Sequence, residues 1–210
     1  MTERISISDV SSIERAASIL RAGGLVAFPT DTVYGLAADV RNPQAIERLF
    51  AAKGRDFNKA IAVLVGSVEA LPAIFDMQSG RVELAMRLAA HFWPGALTLV
   101  AARAADLPEI LSPLPTVGVR MPNHAWALAL LHQVGPLATT SANRSGAANP
   151  LSAEDVLAQL DGRVDLVVDG GPSAIGLPST VVDCTGVEPK ILRQGAIAAE
   201  VIWNVIHGED

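Results

Sequence analysis

Short apolar runs of strand length alternate with amphipathic stretches of helical period through most of this chain. Between Ser11 and Ala22 the apolar residues recur at helical spacing, and Gly23–Gly24 ends the pattern. The next segment, Leu25–Phe28, has the composition of a buried strand. Strands and helices that alternate in this way form an α/β fold, with helices packed against a sheet. We predict one α/β domain built around a mixed sheet, and the pattern leaves the strand order open.

Further helices and strands continue this alternation to the end of the chain. Asn42 before Pro43 is typical of a helix start, and Ser152 with Asp155 resembles a capping box. The predicted helices are Asn42–Lys53, Arg81–Phe92, Ala125–Val134, Ser152–Leu160 and Ala198–Ile206, and the predicted strands are Ile61–Val65, Ala96–Ala102, Val117–Val119, Leu137–Thr140, Leu166–Val168, Thr180–Asp183 and Ile191–Leu192.

The composition narrows the classes of protein to which the chain can belong. Half of its 210 residues are hydrophobic and 18% are charged, which is enough to build a large core. The formal net charge of −6 argues against a broad nucleic-acid-binding face. A single cysteine, Cys184, excludes cysteine-rich zinc sites and is expected to be a buried, inert thiol. We find no secretory signal and no apolar run of about 20 residues, so we expect a cytoplasmic protein without membrane contact.

The segment Phe28–Leu36 is the first candidate for a ligand site. Pro29 ends the apolar strand before it, and two threonines, an aspartate and the only tyrosine follow. In α/β sheets, ligands bind at the ends of strands, which favours a binding role for these side chains. Threonine and aspartate also serve as local turn residues, so the segment alone leaves a structural role equally open.

Lysine usage points to a second candidate. Only three of the 16 lysine and arginine residues are lysines, and two of these, Lys53 and Lys59, flank Arg55 in one glycine-containing loop. Such a cluster is suited to neutralising phosphate oxygens. A structural alternative is that Lys53 complements the dipole at the end of a helix, although this explains Lys59 poorly.

Hydroxyl, amide and guanidinium groups also lie at the ends of several other predicted strands. They occur in Thr139–Gly146, in Thr116–Arg120, in Ile191–Arg193 and in Gly176–Thr180. These donors can hold phosphate or carboxylate oxygens, while ordinary turns and surface ion pairs remain the structural alternatives.

Several well-known catalytic motifs are absent from the sequence. It contains no P-loop, no G-x-G-x-x-G, no H-E-x-x-H and no G-x-S-x-G. The candidate groups therefore indicate a site that acts by positioning and by charge stabilisation, without a nucleophile of its own.

Taken in order, seven short motifs give the chain a resemblance to a known family. They are Phe28–Leu36, Lys53–Arg55, Phe92–Gly95, Val119–Pro122, Ser141–Asn143, Ser179–Asp183 and Leu192–Arg193. In this order they resemble the YrdC (TsaC) family of threonylcarbamoyl-adenylate synthases, over about residues 12–197. The resemblance implies a single YrdC-like domain across residues 1–210, with a twisted mixed parallel and antiparallel sheet flanked by helices.

The resemblance also implies a reaction and its partners. L-threonine, bicarbonate or CO2, and ATP would give threonylcarbamoyl-adenylate and pyrophosphate for tRNA modification. No metal site of the protein's own is expected, and Mg2+ would arrive with the ATP phosphates. A threonylcarbamoyl transferase complex acting on tRNA would use the product, and a weak contact with tRNA itself is compatible with the sequence.

The resemblance assigns roles to individual residues by motif match. Those tied to catalysis are Lys53, Arg55, Ser141 and Asn143. Those matched to ATP binding are Arg55, Lys59, Thr116, Ser141, Asn149 and Arg193. Those matched to L-threonine are Thr32, Tyr34, Arg120, Thr139 and Ser179, with Arg120 opposite the carboxylate and Tyr34 as a wall of the pocket.

Four positions depart from the family pattern, and two other functions remain under consideration. Ala60, Leu64, Asn149 and Gln194 replace residues that are common in relatives, and Leu64 replaces a histidine that contacts threonine in some of them. One alternative is a non-catalytic RNA- or nucleotide-binding module of the same fold. The other is the YrdC-like domain of hydrogenase-maturation carbamoyltransferases, which the single cysteine disfavours because those proteins carry cysteine-rich zinc modules.

Overall fold

Strands and helices alternate along the chain in the computed structural model, which describes residues 1–208. The helices are α1 (Ser12–Arg21), α2 (Pro43–Lys53), α3 (Val82–Phe92), α4 (Ala125–Val134), α5 (Ala153–Leu160) and α6 (Ala199–His207). The strands are β1 (Glu3–Ser6), β2 (Val26–Phe28), β3 (Gly35–Asp39), β4 (Ala62–Leu64), β5 (Leu97–Ala102), β6 (Thr116–Arg120), β7 (Leu137–Ser141), β8 (Leu166–Asp169), β9 (Thr180–Asp183) and β10 (Lys190–Arg193). Every predicted helix and strand is present, and the sequence reading missed β1 and β3.

Local sequence explains where several helices begin and end. The Asn42 side chain accepts a hydrogen bond from the backbone N–H of Ala45 at 3.1 Å, and Pro43 occupies the first turn of α2. Gly54 then ends α2 in the left-handed conformation, with φ of 59°. At α5, Ser152 and Asp155 exchange side-chain and backbone hydrogen bonds, so the predicted capping box is confirmed.

All the strands belong to one mixed sheet with the order β1-β8-β2-β3-β7-β4-β6-β5-β9-β10. The pairs β1/β8, β2/β8, β4/β6 and β5/β9 are parallel, and the other neighbouring pairs are antiparallel. Strand β3 lies between β2 and β7, although its Gly35-Leu36-Ala37-Ala38 sequence has low strand propensity. Pairing on both sides stabilises β3, and a local reading of the sequence cannot detect that pairing.

Two layers of helices cover the sheet. On one face, buried residues of α2, α3, α5 and α6 form the larger core cluster, which includes Leu49 and Leu88. On the other face, α1 and α4 pack against Val26, Phe28 and neighbouring strand residues. Strand residues alternate between the faces with a period of two, as in β6, where Val117 and Val119 enter the larger core and Thr116, Gly118 and Arg120 face the other way.

The lone cysteine lies in the larger core. Cys184 is 1% exposed. Burial, and to a smaller extent the charge of Asp183, raises the pKa of its thiol to about 12. The predicted burial of the thiol is confirmed, and the raised pKa supports the expected inertness, because such a thiol stays protonated near neutral pH. Among residues 1–208, no helix is both long enough and apolar enough to cross a membrane.

Candidate functional site

A cavity of about 560 Å3 opens on the sheet face that also carries α1 and α4. Alternate residues of adjacent strands form its floor, because residues i and i+2 of a strand point to the same side. They are Thr116, Gly118 and Arg120 of β6, Thr98 and Val100 of β5, Ala62 and Leu64 of β4, and Thr139 and Ser141 of β7. The cavity therefore lies across the middle of the sheet and is not confined to the strand ends.

The turn after β2 contributes buried hydroxyls to one wall. Thr30 and Thr32 both line the cavity, and their Oγ1 atoms lie 3.0 Å apart. Thr30 Oγ1 also donates to the Val33 carbonyl at 2.7 Å, which closes the turn on itself. Thr32 Oγ1 accepts a hydrogen bond from Arg120 Nη1 at 2.6 Å, so the turn is joined directly to β6.

Arg120 is the most buried cation of the cavity lining, with 7% of the residue exposed. Its Nε donates to the Gly95 carbonyl at 2.9 Å, and its Nη2 donates to Asp31 Oδ1 in an ion pair. Desolvation is the main cause lowering the pKa of Arg120, and the Asp31 charge opposes that shift. Arginine remains protonated throughout the physiological range, so the cavity keeps a fixed cation at this position.

A second group of cavity residues surrounds Ser179, which lies just before β9. Its Oγ is 2.7 Å from Thr98 Oγ1, and its carbonyl accepts hydrogen bonds from Arg193 Nη2 at 2.8 Å and Nε at 3.2 Å. All three residues line the cavity. The parallel pairing of β5 with β9 brings Thr98 and Ser179 together, although 81 positions separate them in the chain.

Arg55 lies in the loop that follows α2 and also faces the cavity. One of its terminal nitrogens, Nη2, donates to the Ala60 carbonyl at 2.8 Å. Its Nε is buried and has no hydrogen-bond partner within residues 1–208. A buried N–H without an acceptor is costly, so this donor is suited to a ligand oxygen.

Lys53 lies beneath the cavity wall and is 2% exposed. Its Nζ donates to the carbonyls of Ser141 and Asn143 and, at 3.3 Å, to Asn143 Oδ1. These three acceptors match the three N–H donors of an ammonium group. Burial, with a smaller contribution from the charge of Arg55, lowers the pKa of Lys53 to about 7. In this conformation Lys53 therefore holds the loop after β7 in place and presents no donor to the cavity.

The structure brings nine of the predicted site residues into the cavity lining. They are Thr32, Arg55, Thr116, Arg120, Thr139, Ser141, Asn149, Ser179 and Arg193. Lys53, Asn143, Tyr34 and Lys59 are not among the lining residues. Asn143 supports the wall from behind, because its Oδ1 accepts a hydrogen bond from the Ser141 hydroxyl at 2.6 Å. Lys59 is exposed on the loop after α2.

Tyr34 lies behind the cavity wall, although the sequence predicted that it would form part of that wall. The residue is fully buried within the larger core cluster. Its hydroxyl donates to the Gly171 carbonyl at 2.8 Å and accepts from the Gly170 N–H at 3.1 Å. Successive residues of an extended backbone point to opposite sides. Val33 and Gly35 line the cavity, and the Tyr34 ring between them points to the opposite side.

Sequence reasoning missed Thr98, Ser112 and Asp31. Thr98 interrupts the apolar run of β5 with a hydroxyl, and this was the available signal for a side chain facing a polar cavity. Ser112 lines the cavity from the loop before β6, where no pattern in the sequence singles it out. Three of the four departures from the family pattern, Ala60, Leu64 and Asn149, also line the cavity. Gln194 instead donates to the Ile197 carbonyl at 2.8 Å.

The cavity residues provide cations, hydroxyls and apolar groups. Within residues 1–208, no group of three or more His, Cys, Asp and Glu side chains is arranged to hold a metal ion. Arg55, Arg120 and Arg193 supply positive charge, and Val100, Leu64 and Leu114 supply apolar surface. Such a lining is suited to an anionic ligand held away from bulk water.

The fold and this lining define an α/β protein with a cationic ligand cavity on its sheet, and comparison with known proteins places it in a family. The family model Sua5/YciO/YrdC, described as "Telomere recombination", matches residues 18–195. The chain belongs to this family.

Individual relatives cover nearly the whole chain. The threonylcarbamoyl-AMP synthase of Bacillus subtilis is 42% identical over 209 residues, which are 98% of this chain and 59% of the relative. A putative threonylcarbamoyl-AMP synthase of Mycobacterium tuberculosis strain H37Rv is 41% identical over 212 residues, covering 98% of this chain and 96% of the relative. The crystal structure of P. abyssi Sua5 complexed with L-threonine matches with a TM-score of 0.92 and 39% identity, over 98% of this chain and 61% of that chain. The chain thus spans about three-fifths of the length of the Bacillus and P. abyssi proteins.

Proposed function

We propose that this protein is an L-threonylcarbamoyladenylate synthase, which forms threonylcarbamoyl-AMP and pyrophosphate from L-threonine, bicarbonate or CO2, and ATP. The observation that carries the proposal is that nine residues matched to this activity, from widely separated parts of the chain, line one cavity. The names of the relatives, and the L-threonine bound to P. abyssi Sua5, support the same reaction.

The cavity chemistry is compatible with each step of this reaction. The amine of threonine adds to CO2 and loses a proton, which gives a carbamate. A carbamate oxygen then attacks the α-phosphorus of ATP, and the bond to the β,γ-pyrophosphate breaks. Both nucleophile and leaving group come from the substrates, so the protein needs only to position them and stabilise their charge.

The residues divide this work by their chemistry. Arg120, with Thr32 hydrogen-bonded to it, is suited to the threonine carboxylate, while the hydroxyls of Thr139 and Ser179 offer further partners for the amino acid. Arg55 and Arg193 are suited to the phosphates, together with Thr116, Ser141 and Asn149. Mg2+ enters as part of the MgATP substrate. Apolar lining residues such as Val100 and Leu64 reduce access of water to the carbamate and to the anhydride product.

The proposal extends to the partners of the reaction. The product is a mixed anhydride that water destroys, so it must pass to an acceptor, which we assign to a threonylcarbamoyl transferase complex acting on tRNA in the cytoplasm. The net charge of −6 limits any direct contact with tRNA to a local patch.

Release of pyrophosphate by the purified protein tests the proposal. We expect release from ATP to require both L-threonine and bicarbonate, and radiolabelled bicarbonate to enter an adenylated product. D-threonine serves as the matched control, because it carries the same chemical groups as L-threonine in the mirror-image arrangement, which does not fit a cavity shaped for L-threonine. Tight RNA or nucleotide binding without substrate-dependent pyrophosphate release would instead identify a non-catalytic binding module.

A further inference from the structure

Asp31 is a buried carboxylate between the cavity-lining residues Thr30 and Thr32, and its sequence pattern indicates no role beyond that of a turn residue. Its side chain is 9% exposed and that of Arg120 is 8% exposed, which makes their ion pair far more buried than the pair of Arg48 with Asp165, at 49% and 39%. Breaking a buried ion pair leaves an uncompensated charge, so the position of the Arg120 guanidinium depends strongly on the charge of Asp31.

Three protein acceptors fix the orientation of the Arg120 guanidinium. Nε is held by the Gly95 carbonyl, Nη1 by Thr32 Oγ1 and Nη2 by Asp31 Oδ1. A guanidinium carries five N–H donors. Three of them have these partners, which leaves two for a ligand in the cavity that Arg120 lines. Asp31 supplies the only charged acceptor of the three.

The turn that carries Asp31 is itself held firmly. The Asp31 carbonyl accepts a hydrogen bond from the Ile175 N–H at 2.9 Å, and the Thr32 carbonyl accepts one from the Gly176 N–H at 3.0 Å. Thr30 closes the same turn from within by its bond to Val33. The Asp31 carboxylate is therefore a fixed point against which the longer arginine side chain is oriented.

The buried charge of Arg120 also needs a negatively charged partner at the position of Asp31. After desolvation, the Arg193 charge is a further cause that lowers the pKa of Arg120, which shows that the two cavity guanidiniums repel each other. The Asp31 charge acts in the opposite sense. Without it, the buried Arg120 would face both desolvation and the repulsion of Arg193, and no charged acceptor would hold its orientation.

We propose that Asp31 is a positioning residue that holds the Arg120 guanidinium in the orientation required to bind the α-carboxylate of the amino-acid substrate. This inference rests on the proposed function, because it takes L-threonine as the ligand that Arg120 meets. Asp31 touches neither substrate nor reacting atoms and acts only through Arg120.

Calorimetric binding of two ligands to Asp31→Asn tests the inference. L-threonine carries the α-carboxylate, and L-threoninol replaces it with a hydroxymethyl group. We expect D31N to weaken L-threonine binding by about tenfold, because a misoriented Arg120 would lose one charge-assisted hydrogen bond to the carboxylate. Binding of L-threoninol should change less than about twofold, because that ligand has no carboxylate. In turnover assays, KM for L-threonine should rise by a similar factor while kcat stays within about twofold.

Asp165→Asn is the matched control, since it makes the same substitution in an arginine pair outside the cavity lining. It should leave the affinity for both ligands unchanged. If D31N does not fold, Asp31→Glu decides the question, because it keeps the charge but displaces it along the guanidinium. If D31E binds L-threonine more weakly than the wild type does but binds L-threoninol as the wild type does, the inference is supported. If D31E binds both ligands as the wild type does, the inference is overturned.

The outcomes separate this inference from the proposed function. Wild-type binding of L-threonine with equal binding by D31N would overturn the role of Asp31 and leave the proposed function intact. An equal loss of affinity for both ligands in D31N would also overturn it, because the effect would then be independent of the carboxylate. A wild-type protein that does not bind L-threonine would overturn the proposed function, and the inference with it.

Discussion

Lys53 joins the end of α2 to the loop that follows β7. Its three oxygen acceptors come from Ser141 and Asn143, and the N–H of Ser145 donates to the Lys53 carbonyl at 2.9 Å. A single side chain thus connects two of the motifs that the sequence singled out separately. The lysine supports the site because it holds the backbone of the cavity residue Ser141 and of Asn143, and its contribution to activity is expected to act through these contacts.

The lowered pKa of Lys53 predicts a specific dependence of stability on pH. The folded protein releases this proton near pH 7, while the unfolded chain keeps it to about pH 10.5. Between these values the unfolded state binds more protons, so the free energy of unfolding should rise with pH, by at most about 1.4 kcal/mol per unit. Below pH 7 both states are protonated and this contribution becomes constant.

Urea unfolding of the wild type and of Lys53→Met at pH 6, 7.5 and 9 measures the effect. Methionine keeps an unbranched side chain and removes the titrating group. The wild type should gain stability relative to K53M as pH rises from 7.5 to 9. A constant difference between the two proteins over that range would show that the lysine titrates as it does in an unfolded chain.

Arg55 leads to a prediction about turnover. Its buried Nε has no acceptor within residues 1–208, and the residue lines the cavity. We expect Arg55→Ala to lower the rate of pyrophosphate release by about 100-fold, as for other groups that stabilise charge in a transition state. Arg21→Ala is the control, because that guanidinium donates to the Gln133 carbonyl outside the cavity lining. Equal rates in both variants would show that Arg55 has no part in the chemistry.

At the scale of elements, α2 positions Lys53 and leads into Arg55, so its N-cap affects the whole protein. We expect Asn42→Ala to lower the free energy of unfolding by about 1 kcal/mol, because the Ala45 N–H loses its acceptor. Ser11→Ala is a matched control, since Ser11 precedes α1 but its side chain makes no cap hydrogen bond. Its effect should stay within about 0.5 kcal/mol in urea unfolding. Equal losses would show that the cap bond at Asn42 contributes nothing.

Elements with a strong local signal were predictable, and those defined by pairing were not. Asn42–Pro43 and the Ser152–Asp155 box identify helix starts because the capping partners lie within three residues in the chain. Strand β3 gave no such signal, since Gly35 and its neighbours become a strand only by pairing with Phe28 on one side and Ser141 on the other. The second of these partners lies more than 100 positions away.

At the scale of the whole molecule, the cavity depends on strands that are distant in sequence, so a bound ligand should stabilise the complete fold. L-threonine at about 100 times its Kd should add about 2.7 kcal/mol to the free energy of unfolding. For a chain of this size, that is a rise in Tm of roughly 5–10 °C. Differential scanning fluorimetry with L-threonine and D-threonine measures it. An equal shift with both enantiomers would indicate non-specific binding.

The sequence by itself determined the α/β class, the helix caps, the buried thiol and nine of the residues that line the cavity. Composition, periodicity and short motifs act over a few residues, so they can be seen in the linear chain. Only the tertiary structure decided which face of each strand those residues occupy. The tertiary structure also buries Tyr34 in the core, turns the Lys53 side chain toward backbone oxygens and pairs Asp31 with Arg120. The reason is that strand order and register join residues as far apart in the chain as Glu3 and Leu166, and a shift of one residue would reverse every side chain.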